Sequence, residues 1–125
     1  MITGRVTADR TAVIGLAIAH PAGDTQQVEA VIDTGFNGYL TLPSHLIRRL
    51  GLQLAGNRRA TLGDGHVVAL DVYLGKLLWD KSERDVLVLQ AAGGPLVGMS
   101  LLYGSRVTLN VVAGGDVIIE PLPQG

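Results

Sequence analysis

A chain of 125 residues, 47% of them apolar, has room for one domain with a real hydrophobic core and little space for a second. Its 10 Lys and Arg against 11 Asp and Glu give a formal charge of -1, which leaves no electrostatic footprint for nucleic acid or an anionic membrane surface. The absence of cysteine excludes disulfides and thiol chemistry.

In chain order, residues 1–19 read as strand, with Ala12 to Ile18 almost wholly apolar and Asp9-Arg10 offering a bend. His20-Pro21-Ala22-Gly23-Asp24 is a turn cluster, and Gln26 to Asp33 alternates into a buried strand. Tyr39-Leu40-Thr41-Leu42 reads as a short strand. Pro43-Ser44 then opens a helix that runs through Leu50 and closes at Gly51. Proline in its first turn, glycine past its end and Arg48-Arg49 in its last turn all match the polarity of a helix. Gly63-Asp64-Gly65 lies between Ala60-Thr61-Leu62 and Val67-Val68-Ala69-Leu70, which predicts a hairpin because an Asp-Gly turn twists as paired strands do.

Further strands are expected at 70–79 and 84–90, then a glycine loop at 91–94 and a short strand at 95–98. A helical turn over Ser100 to Tyr103, near residue 101, ends at Gly104. A last hairpin, Val107 to Val112 and Val117 to Glu120, turns through Ala113-Gly114-Gly115-Asp116. The 17 glycines suit an all-β chain of short strands and tight turns. An internal echo accompanies this order. Strand, glycine loop, apolar strand, helix and glycine occur at 28–51 and again at 86–104, with Ala91-Ala92-Gly93 where the first copy has Asp33-Thr34-Gly35.

Chemistry concentrates at Val31-Ile32-Asp33-Thr34-Gly35. A carboxylate directly after an apolar strand stands at the edge of a core, where the charged form is disfavoured. Thr34 both donates and accepts, and Gly35 lets the backbone turn sharply and another backbone approach. Asp and Gly are also ordinary turn residues. What separates this tripeptide from Asp24-Thr25 and Asp64-Gly65 is the buried strand before it and the helix-bearing unit after it. His20, His45 and His66 are not at metal-ligand spacing, so no metal and no cofactor are expected. No apolar run approaches the roughly 20 residues that span a bilayer. Met1 to Arg5 lacks the layout of a signal peptide, so a soluble cytoplasmic protein is expected.

Val31-Ile32-Asp33-Thr34-Gly35-Phe36-Asn37, followed by Leu40-Thr41-Leu42-Pro43, resembles the active-site segment of clan AA, retropepsin-like aspartic peptidases, in a prokaryotic Asp-Thr-Gly-Phe variety. The second signature of that family is an apolar pair, a glycine and an apolar helical turn, and here it is Leu96-Val97-Gly98-Met99-Ser100-Leu101-Leu102. The resemblance covers roughly residues 28–104. It implies one domain over 1–125, a small closed β-barrel with one short helix after the active-site strand, and a homodimer acting on a peptide or protein substrate. Asp33 would be the catalytic carboxylate, with Thr34 bonding across the dimer axis and Gly35 admitting the substrate backbone. Phe36 and Asn37 would border the substrate, under a flap tipped by Gly63-Asp64-Gly65-His66. Leu96, Val97 and Gly98 would pack against the active-site loop.

The chain departs from viral members at two places. They carry an acidic residue two places after the glycine and an arginine after the second-signature glycine, where this sequence has Asn37 and Met99. The loss of an ion pair at both ends keeps a second reading open: the same fold as a weak or inactive peptide-binding or dimerisation domain. Viral relatives also interleave terminal strands across the dimer, which here leaves 2–8 and 116–121 as an open possibility. A nucleic-acid module has no support in a chain with one Trp, one Phe and balanced charge.

Overall fold

The computed structural model describes residues 1–61 and 64–123. In chain order the elements are β1 (Ile2–Val6), β2 (Ala12–Ala19), β3 (Thr25–Ile32), β4 (Leu40–Leu42), α1 (Ser44–Leu50), β5 (Gln53–Thr61), β6 (Val67–Trp79), β7 (Ser82–Gln90), β8 (Leu96–Val97), α2 (Met99–Leu102), β9 (Ser105–Leu109) and β10 (Asp116–Pro121). The fold is therefore all-β, as its sequence indicates.

The strands join in one sheet of order β5-β6-β7-β4-β8-β3-β2-β1-β10-β9. β2 also pairs with β6, through Ala17↔Leu78 and Ile18↔Leu77, so the sheet turns back on itself. β6 is longer than the break expected at residue 70. Its first half pairs with β5 and its second half with β7, so two partners on opposite sides hold one continuous strand straight through Asp71. The core gathers the inward side chains of these strands. Leu40, Leu42, Val88, Val97 and Leu101 are wholly buried. Each such burial contributes about 1.5–3 kcal/mol relative to exposure.

α1 buries Ile47 and Leu50 and turns Arg48 and Arg49 to solvent. Its end follows from Gly51, whose φ of 66° only glycine adopts without strain. There the Gly51 amide donates to Arg48 O at 3.1 Å and the Leu52 amide to Ile47 O at 3.2 Å. α2 begins one residue earlier than its sequence suggests, at Met99.

The echo in the sequence has a counterpart in the pairing. β3 runs parallel to β8, with Val31↔Leu96 and Ile32↔Val97. β7 runs parallel to β4, with Leu40↔Val88 and Thr41↔Leu89. Each half thus pairs its long strand with the short strand of the other, and β4 and β8 meet antiparallel between them.

Candidate active site

β3 carries its last side chains to the end of the sheet and releases the chain at Asp33. The ladder holds firmly up to that point: the Val31 amide donates to Pro95 O and the Asp33 amide to Val97 O, both at 2.9 Å. The chain then turns on the Asp33 side chain itself. Asp33 Oδ1 accepts the Gly35 amide at 2.9 Å, and Asp33 O accepts the Phe36 amide at 3.2 Å. An aspartate that binds the backbone two residues on is a turn-former, and here that bond also fixes the direction of the carboxylate. A Cβ at position 35 would stand 3.2 Å from Asp33 Oδ1, so glycine is what allows the short approach. Asp33 is half-buried, and Thr34 and Gly35 are exposed.

The following residues are clamped from the far signature. The Met99 amide donates to Phe36 O at 2.8 Å, the Ser100 amide to Gly38 O at 3.1 Å and the Gly98 amide to Tyr39 O at 3.0 Å. The Ser100 hydroxyl donates to Asn37 O at 2.5 Å. The first amides of a helix have no partner within it, and those of α2 find theirs in this loop. Backbone bonds thus join the two segments where Asn37 and Met99 leave no ion pair. Gly98 has no room for a side chain, because a Cβ there would strike Gly38 O, the Phe36 ring and Phe36 O. One level deeper, the hydroxyl of buried Thr41 accepts the Leu96 amide at 3.0 Å and ties β4 to β8.

The structure therefore brings together Asp33, Thr34, Gly35, Phe36 and Asn37 with Leu96, Val97 and Gly98. Asp64, Gly65 and His66 are exposed at the β5–β6 connection, and Gly63 falls outside the described residues. Asp64 accepts from the His66 amide at 3.0 Å and faces His66 Nδ1 at 2.8 Å. The backbone bond, and then the ring, hold the Asp64 carboxyl below its ordinary range. Among the described residues no group of three or more His, Cys, Asp or Glu is arranged to hold a metal, and no helix is long and apolar enough to cross a membrane.

Three supporting residues were not legible in the sequence. The Ser100 hydroxyl reaches Asn37 O 63 residues away, the Thr41 hydroxyl accepts from the Leu96 amide 55 residues away, and Arg84 Nη1 donates to Leu101 O at 3.1 Å, at the end of α2. Each partner is remote in the chain, so no local pattern marks it. Phe36 turns its ring against Gly38 and Gly98. Comparison with protein-family models, with curated proteins and with solved structures finds no match to this chain.

Proposed function

We propose that this chain is an aspartic peptidase of the retropepsin-like type, active as a homodimer in which each subunit supplies Asp33. The observation that carries the reading is the half-buried Asp33 carboxylate, set at the end of a clamped strand with one oxygen held by the Gly35 amide. Such a group is positioned before substrate arrives, as general acid–base catalysis requires. The pairing circuit β2-β6-β7-β4-β8-β3 and back to β2 supports a closed barrel of the retropepsin kind.

In the proposed dimer two Asp33 carboxylates meet across a twofold axis, where their like charges repel, and the pair holds one shared proton. The ionised member takes a proton from a water lying between the two, and that water attacks the peptide carbonyl. The protonated member donates to the carbonyl oxygen as the tetrahedral centre forms. As the C–N bond breaks, the Asp33 that took the water's proton gives it to the leaving amine, and the other Asp33 takes back a proton from the hydroxyl as the carboxylic acid product forms. This chemistry asks for no metal and no cofactor. Asn37 and Met99 favour the second reading, a peptide-binding or dimerisation domain of the same fold with weak or no turnover.

Peptide-library cleavage by wild-type protein and by Asp33→Asn separates the two. Hydrolysis by the wild type that disappears in Asp33→Asn, with dimerisation and folding retained, supports the peptidase. Equal hydrolysis by both proteins, or none by either, rules it out. Wild-type activity should also rise more steeply than linearly with concentration near the dimer dissociation constant.

A further inference from the structure

The segment after Asp33 is held by its carbonyls and left free at two of its amides. Phe36 O, Asn37 O, Gly38 O and Tyr39 O all accept from Gly98, Met99 or Ser100. The amides of Asn37 and Gly38 donate to no acceptor among the described residues, and neither residue lies in a strand or helix. Asn37 is exposed, and its side-chain amide has no hydrogen-bond partner among the described residues.

An asparagine placed before a glycine reacts with its own backbone. With no Cβ on the following residue, the next amide nitrogen reaches the asparagine Cγ unhindered and closes a five-membered ring. Asn37-Gly38 is the one such pair in the sequence. Asn57 sits in β5, where its Nδ2 donates to Asp71 Oδ1 at 2.6 Å, and Arg58 follows it. The Asn110 amide donates to Asp116 O at 2.9 Å, and β-branched Val111 comes next. Packing also keeps position 38 a glycine, because a Cβ there would press on the Phe36 ring, 2.5 Å from Cζ.

We infer that Asn37-Gly38 is a site of spontaneous deamidation, and that its isoaspartate product loosens the clamp of α2 on the Asp33 loop. In mildly alkaline water the Gly38 amide gives its proton to hydroxide, and the nitrogen attacks Asn37 Cγ. The new bond closes a succinimide ring as the Cγ–Nδ2 bond breaks, and ammonia leaves with a proton from water. A second water opens the ring. Breaking the bond from Gly38 N to Cγ yields aspartate, and breaking the bond from Gly38 N to the main-chain carbonyl carbon yields isoaspartate. In balance one water is taken up and one ammonia released, with nothing oxidised or reduced.

Isoaspartate carries the main chain through Cβ and Cγ, which lengthens it by one atom between Phe36 O and Gly38 O. Those carbonyls accept the Met99 and Ser100 amides at 2.8 and 3.1 Å, and the longer chain cannot keep both bonds as they are. The former Asn37 O, acceptor of the Ser100 hydroxyl, becomes part of a free carboxylate. Neither a dimer nor turnover is needed, so this chemistry and the peptidase reading fail separately.

Purified wild type is held for days in mildly alkaline buffer, beside the Asn37→Gln variant and a free peptide of residues 31–43. Samples are read by tryptic mass mapping and by methyl transfer from an isoaspartyl methyltransferase. The fragment between Arg10 and Arg48 should gain the mass of an amide-to-acid change, mostly as isoaspartate. Its rate should lie within about tenfold of the free peptide's, since a loop with free amides needs little opening. Fragments holding Asn57 and Asn110 should stay unchanged, as should Asn37→Gln, whose ring would be larger. Exchange of the Met99 and Ser100 amides, followed by NMR, should quicken with the isoaspartate fraction in wild type and stay constant in Asn37→Gln. An Asn37 that survives while the free peptide converts overturns the inference, as does equal conversion at Asn57 or Asn110. Full conversion with Met99 and Ser100 exchange unchanged overturns it too.

Discussion

After β3 the amide of Asp33 donates to Val97 O at 2.9 Å, and after β7 the amide of Ala91 donates to Leu42 O at 3.1 Å. In both places a long strand ends beside the short strand of the other half and passes into a glycine-containing loop. The backbone is alike and the surroundings are not. The loop after Asp33 is gripped by Gly98, Met99 and Ser100. In the loop after Ala91, Gly93 has a φ of 95°, and a Cβ at Gly93 or Gly94 would meet nothing within 4 Å. A duplicated topology supplies the turn twice. Packing against α2 stiffens one copy, and only that copy carries a carboxylate at the strand end.

Exchanging the two residues is the most direct way to break this comparison. The double variant Asp33→Ala with Ala91→Asp keeps the composition and moves the acid to the open loop. In the proposed peptidase, hydrolysis should fall by on the order of 10³-fold or more, because the moved carboxylate is neither clamped nor aimed. Retained turnover in a peptide-cleavage assay would show that the two loops are functionally equivalent.

The difference in packing is sharpened by one glycine from each region. Gly98→Ala places a methyl against backbone carbonyl oxygens and the Phe36 ring, and should destabilise the fold by about 1–3 kcal/mol in urea unfolding. Gly94→Ala meets open space and should change stability by no more than about 0.5 kcal/mol.

Thr41→Val tests the bond beneath the loop. The Leu96 amide loses its acceptor at a buried position, an expected loss of about 1–3 kcal/mol by the same measurement. Equal stability of wild type and variant would mean that β4 and β8 are held by packing alone.

The smallest effect belongs to the exposed tip at Asp64. Its carboxyl is held below the ordinary range by the His66 amide and ring, so the folded tip binds its proton more weakly than an unfolded one. Its contribution to local order is present above the ordinary aspartate value, about 3.9, and fades as pH falls through the lower folded value. Amide exchange at His66, followed by NMR, should quicken over that acid range in wild type and show no such step in Asp64→Asn. The amides of β3 should be unaffected in both.

Much of the local architecture was readable from residues near one another in the chain. Alternation marked Gln26 to Asp33 as a strand, and Pro43 with Gly51 bracketed α1, because strand faces and helix ends depend on a few adjacent side chains. The echo of 86–104 to 28–51 was visible as an order of elements, though only the exchanged pairing of β3 with β8 and β7 with β4 gave it a geometric meaning. Ser100, Thr41 and Arg84 were invisible as supports because a hydrogen bond to a remote carbonyl or amide leaves no periodic trace.

By itself the sequence determined that the chain is rich in strands, where its clearest helix begins and ends, and that Asp33 leaves a buried strand into a glycine turn. These are consequences of side-chain periodicity and of the backbone freedom of single residues. The tertiary structure alone decided that Gly98 and α2 lock that turn, that β1 and β10 satisfy each other within the chain, and that β5 and β9 are the edges of the sheet among the described residues. Those outcomes depend on which distant strands pair and which surfaces remain uncovered, and pairing is settled by the folded sheet as a whole.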